Sequence, residues 1–536
     1  MTPNLCAPKG IRNGACLGVW LLLLTAAGCR SQSVVASATL GTPTRPVLAP
    51  TYRASGHMAA GDVFVHLFEW KWTDVAAECE SVVGPAGFRA VQISPPQEHA
   101  VQSSGTWSER YQPVSYSIAR SRSGTGAEFV DMVTRCKAAG VDIYVDAVIN
   151  HMAVNPTSGV GSSGTAYEKY NYPPLYGPGD FHPHCMVSNY GDAANVQDCE
   201  LLGLPDLNTG MLSVQQKIAG YLIMLARLGV AGFRIDAAKH IQQVELDGIL
   251  GIVDSTLAAE GRAVPYYFLE VIGGGPTEAL APRDFFGEAY GSGGAADITE
   301  FTFTGVGNKF LGVNGEHISQ LNPNGPQGSR FSEQAWGLMP SDKAVVFLQN
   351  HDTQHQGGIS YRDGSVFRIA NVWMLAQPYG YPSVLSSYAF TYPSGNNMGP
   401  PSDASGNTTS VTCASNLETA TIGQWVCEHR DPYIARMVAF RRVVAGTSID
   451  HWWDDGANAL AFSRGDKGFV AINGENAPLS QTMATGLAAG TYCDLLTGGS
   501  GPGSCVGVPV IVDAGGYARI ALAPESAIAI DVAAKR

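Results

Sequence analysis

A chain of 536 residues exceeds what one hydrophobic core usually organises, so two or three domains are expected. At 45% apolar it is neither disordered nor short of core, and 15% charged residues beside 63 glycines and 31 prolines suit a loop-rich exported protein. Thirty-three Lys and Arg against 46 Asp and Glu leave a net charge of −13, which repels nucleic acid and anionic membranes but not a neutral partner such as a carbohydrate.

Lys9 and Arg12 precede an apolar stretch, residues 16–28, too short to span a bilayer comfortably, so residues 1–29 read as a signal peptide. The stretch ends Ala26-Ala27-Gly28-Cys29, which resembles a lipobox with Ala26 where leucine is usual. Cys29 is therefore a candidate lipid anchor, against the alternative of an ordinary cleavage site. Residues 30–56 are rich in Ser, Thr, Ala and Pro and read as a linker.

Apolar runs at 63–68, 90–93, 141–148, 230–235, 266–271, 298–303, 344–348 and 381–385 read as eight strands. Amphipathic helical patterns at 126–139 and 212–228 fall between them. Alternation of that kind predicts a parallel sheet, and eight repeats a (β/α)₈ barrel over 57–445. The gap between the third and fourth strands is rich in Gly, Pro, Tyr and Asn and too long for a bare loop, so an inserted subdomain is expected at 152–206. From 446 to 536 short alternating runs with glycine turns predict an all-β sandwich.

Beyond residue 29 there are eight cysteines, and an even number in an exported chain argues for four disulfides. Nearness in sequence pairs Cys185 with Cys199, Cys413 with Cys427 and Cys493 with Cys505, which leaves Cys79 with Cys136. No Cys-x-x-Cys spacing supports a zinc or redox centre.

Alternation in the fourth strand puts Arg234 and Asp236 on one face, with Phe233 and Ile235 on the other. The apolar pair suits the helical layer, so the charged pair points into the barrel, with Asp236 at the carboxyl end where barrel enzymes hold their chemistry. The fifth strand ends in Glu270, the seventh runs into Asn350-His351-Asp352, and the third carries Asp146 before Asn150 and His151. A lone strand-end acid is usually a salt-bridge partner. Four on one rim, with Arg234 and several histidines, point instead to acid–base chemistry, and paired carboxylates beside aromatic faces to glycoside hydrolysis. Trp107, Tyr111, Phe68 and Trp70 are candidate stacking faces for a sugar.

The segments DAVINH (146–151), GFRIDAAKH (232–240), FLEVI (268–272) and FLQNHD (347–352) resemble the four ordered motifs of the α-amylase family of glycoside hydrolases. HLFEWKW (66–72), ERYQPVSY (109–116) and QWVCEHR (424–430) resemble its animal-type branch, which also occurs in bacteria. The resemblance runs from about residue 60 to the C-terminus. It implies a barrel with an inserted B domain after strand 3 and a C-terminal sandwich, acting on α-glucans.

By the same resemblance Asp236 is the nucleophile, Glu270 the general acid/base, and Asp352 the third carboxylate holding sugar hydroxyls. Trp107, Tyr111, Gln112, His151, Arg234, Lys239, His240 and His351 are implied substrate contacts, with Lys239 and His240 on the leaving-group side. A structural calcium is implied, held by Asn150, Asp206 and the main-chain carbonyls of Gln197 and His240, all oxygen donors as a hard cation requires. Chloride, which activates many animal-type members, is not expected, because Ser383 stands where the second cation of its site belongs. Ser108 replaces the second tryptophan of a pair, and the loop at 353–358 is shorter than in the family, so any lid there is smaller.

The expected activity is endo-acting, retaining hydrolysis of α-1,4-glucosidic bonds. Alternatives are an exo-acting, maltooligosaccharide-forming enzyme or a glucanotransferase, and, remotely, a non-catalytic starch-binding lipoprotein. The expected protein is a monomer outside the cytoplasm, secreted or held at a bacterial envelope, with an α-glucan and no nucleic acid as partner.

Overall fold

The computed structural model describes residues 52–102, 105–273, 275–285, 296–326 and 330–536; the expected signal peptide, Cys29 and nearly all of the linker lie outside them. Eight parallel strands close into a barrel in chain order: β1 (Phe64–Leu67), β2 (Ala90–Ile93), β3 (Asp142–Ala147), β4 (Gly232–Ile235), β5 (Tyr266–Leu269), β6 (Asp297–Thr299), β7 (Ala344–Val346) and β8 (Tyr381–Ser386). β8 pairs back to β1, with Phe64 opposite Ser383. The sixth strand is shorter than its apolar run predicts: the chain leaves the sheet after Thr299, and Phe301–Thr304 forms a 3₁₀ turn. That turn is capped by the Glu300 side chain, which accepts from the Thr302 N–H.

Two-residue alternation sorts the barrel's layers. Val65, Val91, Val145, Phe233, Ile235 and Leu269 face the helices, whereas Phe64, Tyr144, Phe268, Val345 and Tyr381 fill the interior. His57, from the segment before β1, stacks on Tyr381 with ring centroids 4.8 Å or less from both Tyr381 and Tyr266, and closes the N-terminal mouth. The helix Gly126–Ala138 starts with a reciprocal cap: Thr125 Oγ1 accepts from the Glu128 N–H, and Glu128 Oε2 from the Thr125 N–H.

Between β3 and β4 the insertion contains a small ribbon (Ser158–Val160 with Ala166–Glu168), the helix Ala193–Gln197 and irregular turns. All four expected disulfides are present: Cys79–Cys136, Cys185–Cys199, Cys413–Cys427 and Cys493–Cys505.

The C-terminal unit is two four-stranded antiparallel sheets. The first, of β9 (Ile449–Asp454), β10 (Ala459–Arg464), β11 (Gly468–Asn473) and β16 (Ser526–Asp531), lies between the barrel and the second, of β12 (Leu479–Ala484), β13 (Gly490–Cys493), β14 (Pro509–Val512) and β15 (Tyr517–Leu522). Leu460, Phe462, Val470, Ile472, Ala527 and Ala529 join the barrel's core, while their neighbours Ala461, Phe469, Ala471, Ile528 and Ile530 face the other sheet. Burial on both faces is why these strands read as nearly continuous apolar runs.

Candidate active site

β3, β4 and β5 are in register, so that Asp146, Arg234 and Phe268 lie side by side. Arg234, 3% exposed, becomes the hub of the rim. Its Nη1 is 2.5 Å from Asp146 Oδ1 and 2.9 Å from Asp236 Oδ1, and its Nη2 is 2.5 Å from Glu270 Oε1. One guanidinium thus serves three carboxylates from three adjacent strands.

Ala237, directly after Asp236, has φ 50°, a left-handed conformation costly for a residue with a Cβ. That turn aims its N–H at Glu270 Oε2, 2.9 Å away. Asp146 is completely buried and accepts from the Tyr111 hydroxyl at 2.9 Å, so it fixes both the arginine and a ring at the cleft. Its position at a strand end singled it out in the sequence; its partners did not.

Burial raises the pKa of every carboxyl group here, Asp146 to about 7 and Asp352 to about 8. Asp236 and Glu270 are both raised by burial and both pulled back by Arg234, but the charge on Asp236 pushes Glu270 up further. An ionised Asp236 therefore favours the protonated form of Glu270. Four carboxyl groups beside a single cation titrate as a coupled set.

Aromatic side chains wall the other side. Tyr111 stacks on His351 with centroids 5.1 Å apart and planes at 12°. Trp107 meets Tyr111 edge-on, stacks on His355 at 5.2 Å, and donates from Nε1 to the Asn396 carbonyl at 3.0 Å. Phe68 and Trp70 do not offer sugar faces: both are buried, Phe68 behind His351 and Trp70 against Trp425 and His429. Beneath the Trp107–Tyr111 turn lies a buried pair that motif reading did not single out. Arg110 Nε is 2.6 Å from Glu69 Oε2, and burial raises Glu69 to about 8. His351 is buried and neutral, pushed well below its usual pKa first by burial and then by Arg234.

Several expected contact residues are committed to the protein. His151 Nε2 donates to the Tyr111 carbonyl at 2.9 Å, which leaves Nδ1 to accept from Asn150 Nδ2 at 3.4 Å; burial lowers its pKa to about 4. Gln112 Oε1 accepts from the N–H groups of Val154 and Asn155 at the root of the insertion. His240 Nδ1 donates to the Val196 carbonyl at 2.8 Å. Lys239, 4% exposed, donates to the Ile272 carbonyl at 2.8 Å, pairs with Glu278 and lies over the Tyr190 ring.

The same neighbourhood gathers the implied cation ligands. Leu207 N–H donates to the Asn150 carbonyl, and Gln197 Nε2 to the Ile241 carbonyl beside His240. Asp206 Oδ2 accepts from His182 Nδ1 at 2.7 Å, while its Oδ1 is buried without a hydrogen-bond partner. A buried carboxylate oxygen in want of a positive partner, beside the Asn150 side chain and two main-chain carbonyls, fits a calcium ion. Among the described residues no cluster of three or more His, Cys, Asp or Glu side chains is placed to hold a metal, and this donor set needs none.

Acidic groups under aromatic faces at the C-terminal mouth of a parallel barrel place the molecule among barrel glycoside hydrolases. Residues 85–250 match the family described as alpha amylase, catalytic domain, and 450–533 that described as alpha amylase, C-terminal all-beta domain. The chain is 44% identical over 499 residues to the alpha-amylase of Tribolium castaneum, covering 89% of this chain and 96% of that one. With the alpha-amylase of Thermomonospora curvata it shares 40% over 516 residues, 94% of this chain and 79% of the other. Alpha-amylase I of Eisenia fetida, a variant of which was solved with maltohexaose, superimposes with a TM-score of 0.78 at 33% identity, covering 91% and 99% of the two chains. This chain belongs to the α-amylase family and is a glycoside hydrolase.

Proposed function

We propose that the enzyme cleaves internal α-1,4-glucosidic bonds of starch, glycogen and related α-glucans with retention of configuration. The observation that carries this reading is the seating of Asp236 and Glu270 on one guanidinium at the ends of neighbouring strands. Arg234 favours the ionised form of Asp236, the nucleophile, and the Asp236 charge favours the protonated form of Glu270, the acid.

Glu270 gives its proton to the glycosidic oxygen as that bond to the anomeric carbon breaks, and Asp236 forms a bond to the same carbon. Glu270, now ionised, takes a proton from water, whose oxygen displaces Asp236 and restores both groups. Asp352, protonated or paired with His351 Nε2 3.5 Å away, holds sugar hydroxyls and favours the distorted ring. Trp107 and Tyr111 supply the faces on which glucosyl rings lie, His351 lies behind Tyr111 beside the cleaved sugar's hydroxyls, and His240 keeps Nε2 for the leaving-group side.

Proton NMR of the first product on maltopentaose should show the α-anomer before mutarotation; a β-anomer would remove the nucleophile assignment. Iodine colour of amylose should vanish well before reducing ends accumulate. Parallel decay would mark exo action instead.

Calcium would be held by Asn150, Asp206 and the carbonyls of Gln197 and His240, pinning the insertion to the barrel. The charge it would supply is structural: with it, Asp206 would be neutralised and the backbone beside His151 and His240 would be fixed. Chloride dependence is not expected. Ser383 lines a cavity of about 20 Å³ with Arg234 and Asn350, and Arg234, the only Lys or Arg among its lining residues, is already shared by three carboxylates. Four disulfides support a location outside the reducing cytoplasm, and nothing in the site requires a second copy of the chain.

A further inference from the structure

We propose that Glu428, buried behind the cleft, is a positioning residue for Asp352: through Ser387 and Gln354 it fixes the short helix on which Asp352 stands. This rests on the role given to Asp352 above.

Asp352 lies on the helix His351–His355, which follows β7 and is capped by Asn350, whose Oδ1 accepts from the Thr353 N–H at 2.8 Å. Five residues make little more than one turn and cannot hold their own direction. Residues two apart on a helix point to opposite sides, so Gln354 faces away from the side that carries Asp352. Gln354 is buried and held at both its side chain and its main chain. Its Nε2 donates to Gln349 Oε1 at 3.2 Å and to Ser387 Oγ at 3.0 Å, and its carbonyl accepts from Arg362 Nη2 at 3.0 Å. These contacts fix the roll of the helix from behind, and the roll decides where the Asp352 carboxyl group falls.

The hydrogen bonds continue to Glu428. Ser387, the residue after β8, donates to it twice, from its N–H to Oε2 at 2.8 Å and from Oγ to Oε1 at 2.6 Å. A carboxylate that takes the hydroxyl proton leaves Ser387 Oγ to accept, so Gln354 meets it with Nε2 while its Oε1 is left without a partner. Glu428 is itself anchored outside the cleft. Cys427, just before it, is bonded to Cys413, and His429 and Arg430, just after it, hold Glu78 of the helix Trp72–Glu78 at 2.7 Å. The Val426 N–H also donates to the Ser387 carbonyl at 2.8 Å.

Packing alone does not call for a carboxyl group at this place. Burial raises Glu428 to about 7, opposed by hydrogen bonds of which those from Ser387 come first. A buried acid held by neutral donors costs stability that an apolar side chain of similar volume would not. What the acid adds is direction: it sets which way Ser387, and then Gln354, must point.

The test measures kcat and KM on maltopentaose for wild type, Glu428→Gln, Ser387→Ala and Gln354→Met, with circular dichroism as the check on folding. A misplacement of about 1 Å at a catalytic group can cost on the order of a hundred-fold. Each variant should therefore lose about ten-fold or more in kcat with KM within about two-fold, because Asp352 acts on the distorted ring rather than on the resting chain. The double variant Glu428→Gln with Gln354→Met should lose no more than the worse of its two single variants, since both break one chain of contacts. A kcat close to wild type in the folded single variants, a loss confined to KM, or losses that multiply in the double variant would overturn the proposal. Where Glu428→Gln does not fold, Ser387→Ala with Gln354→Met forms the same cycle and is judged in the same way. Near-normal turnover in Asp352→Asn would overturn the reading of Asp352 itself, and the positioning role with it.

Discussion

Asp236, Glu270 and Asp146 share a single buried cation with Asp352 close by, and much of the enzyme's behaviour follows from that shortage. Asp236→Asn should lower kcat by several orders of magnitude while circular dichroism stays native, since the amide cannot form the glycosyl ester. Near-normal turnover would remove Asp236 from the role. Asp352 illustrates the stability cost. Its pKa is about 8 here against 3.8 for the ordinary carboxyl, so the unfolded chain loses that proton first as pH rises. Stability therefore falls between the two values, and Asp352→Asn should raise Tm by several degrees at pH 8 and by less at pH 5, as activity collapses. An equal or smaller gain at pH 8 would contradict that sign. Ser383 makes the third residue-scale expectation. Two cations with one chloride and Arg234 alone both leave +1 beside Glu270, so its raised pKa does not need the anion. Exchanging chloride for gluconate at constant ionic strength should leave the rate and the alkaline limb unchanged; a several-fold activation by chloride would show that another group completes an anion site.

At the scale of elements, the insertion between β3 and β4 carries half of the proposed cation site and little core of its own. It is held by the Cys185–Cys199 bridge and by contacts such as Leu207 N–H to the Asn150 carbonyl. An ion bound only by the native state adds RT ln(1 + [L]/Kd), about 2.7 kcal/mol at a hundred-fold excess over Kd. Exhaustive EDTA treatment should lower Tm by several degrees, and calcium should restore it. An unchanged Tm, with no calcium by elemental analysis, would refute the site. The turn Trp107–Tyr111 shows how an element is set from below. The buried Glu69–Arg110 pair holds its underside, and Arg110 also donates to Ser123 and Thr408 at 2.7 and 2.8 Å. Each ring at the cleft is thus placed by polar contacts that never meet substrate.

For the whole molecule, the middle sheet makes the barrel and the sandwich one body. Arg441, on the helix Pro432–Val443, donates within the barrel unit to the Gln377 and Gly380 carbonyls at 2.5 and 2.6 Å, and Arg464 of β10 reaches across to the carbonyls of Ala376 and, at 3.3 Å, Val444. Burial lowers their pKa values to about 9 and 10, and carbonyl oxygens take the place of counter-ions. Removal of residues 446–536 would expose Phe440, Val438 and the barrel side of that interface. The truncated chain should be insoluble or unfolded, and the intact protein should melt in one calorimetric transition. A soluble, active chain ending at residue 445 would show that the units fold independently.

Strand positions, the eightfold repeat, the disulfide pairing and the strand-end carboxylates were legible in the sequence, because a two-residue alternation and a covalent spacing are local properties of a chain. The four motifs also marked Asp236, Glu270 and Asp352, each at a strand end where its neighbours in sequence fix the direction of its side chain. What a side chain meets there was not local. Arg234 and Asp146 are 88 residues apart and touch only because β3 and β4 settle in one register. The same holds for Phe68 and Trp70, aromatic residues read as sugar faces and buried by packing, and for His151, whose Nε2 is taken by the Tyr111 carbonyl 40 residues away. The sixth strand stops early because Glu300 caps a turn, a competition between sheet and cap that apolar content does not reveal. Chemistry by residue type can be read from the sequence; the sharing of one cation among carboxylates exists only once the barrel has closed.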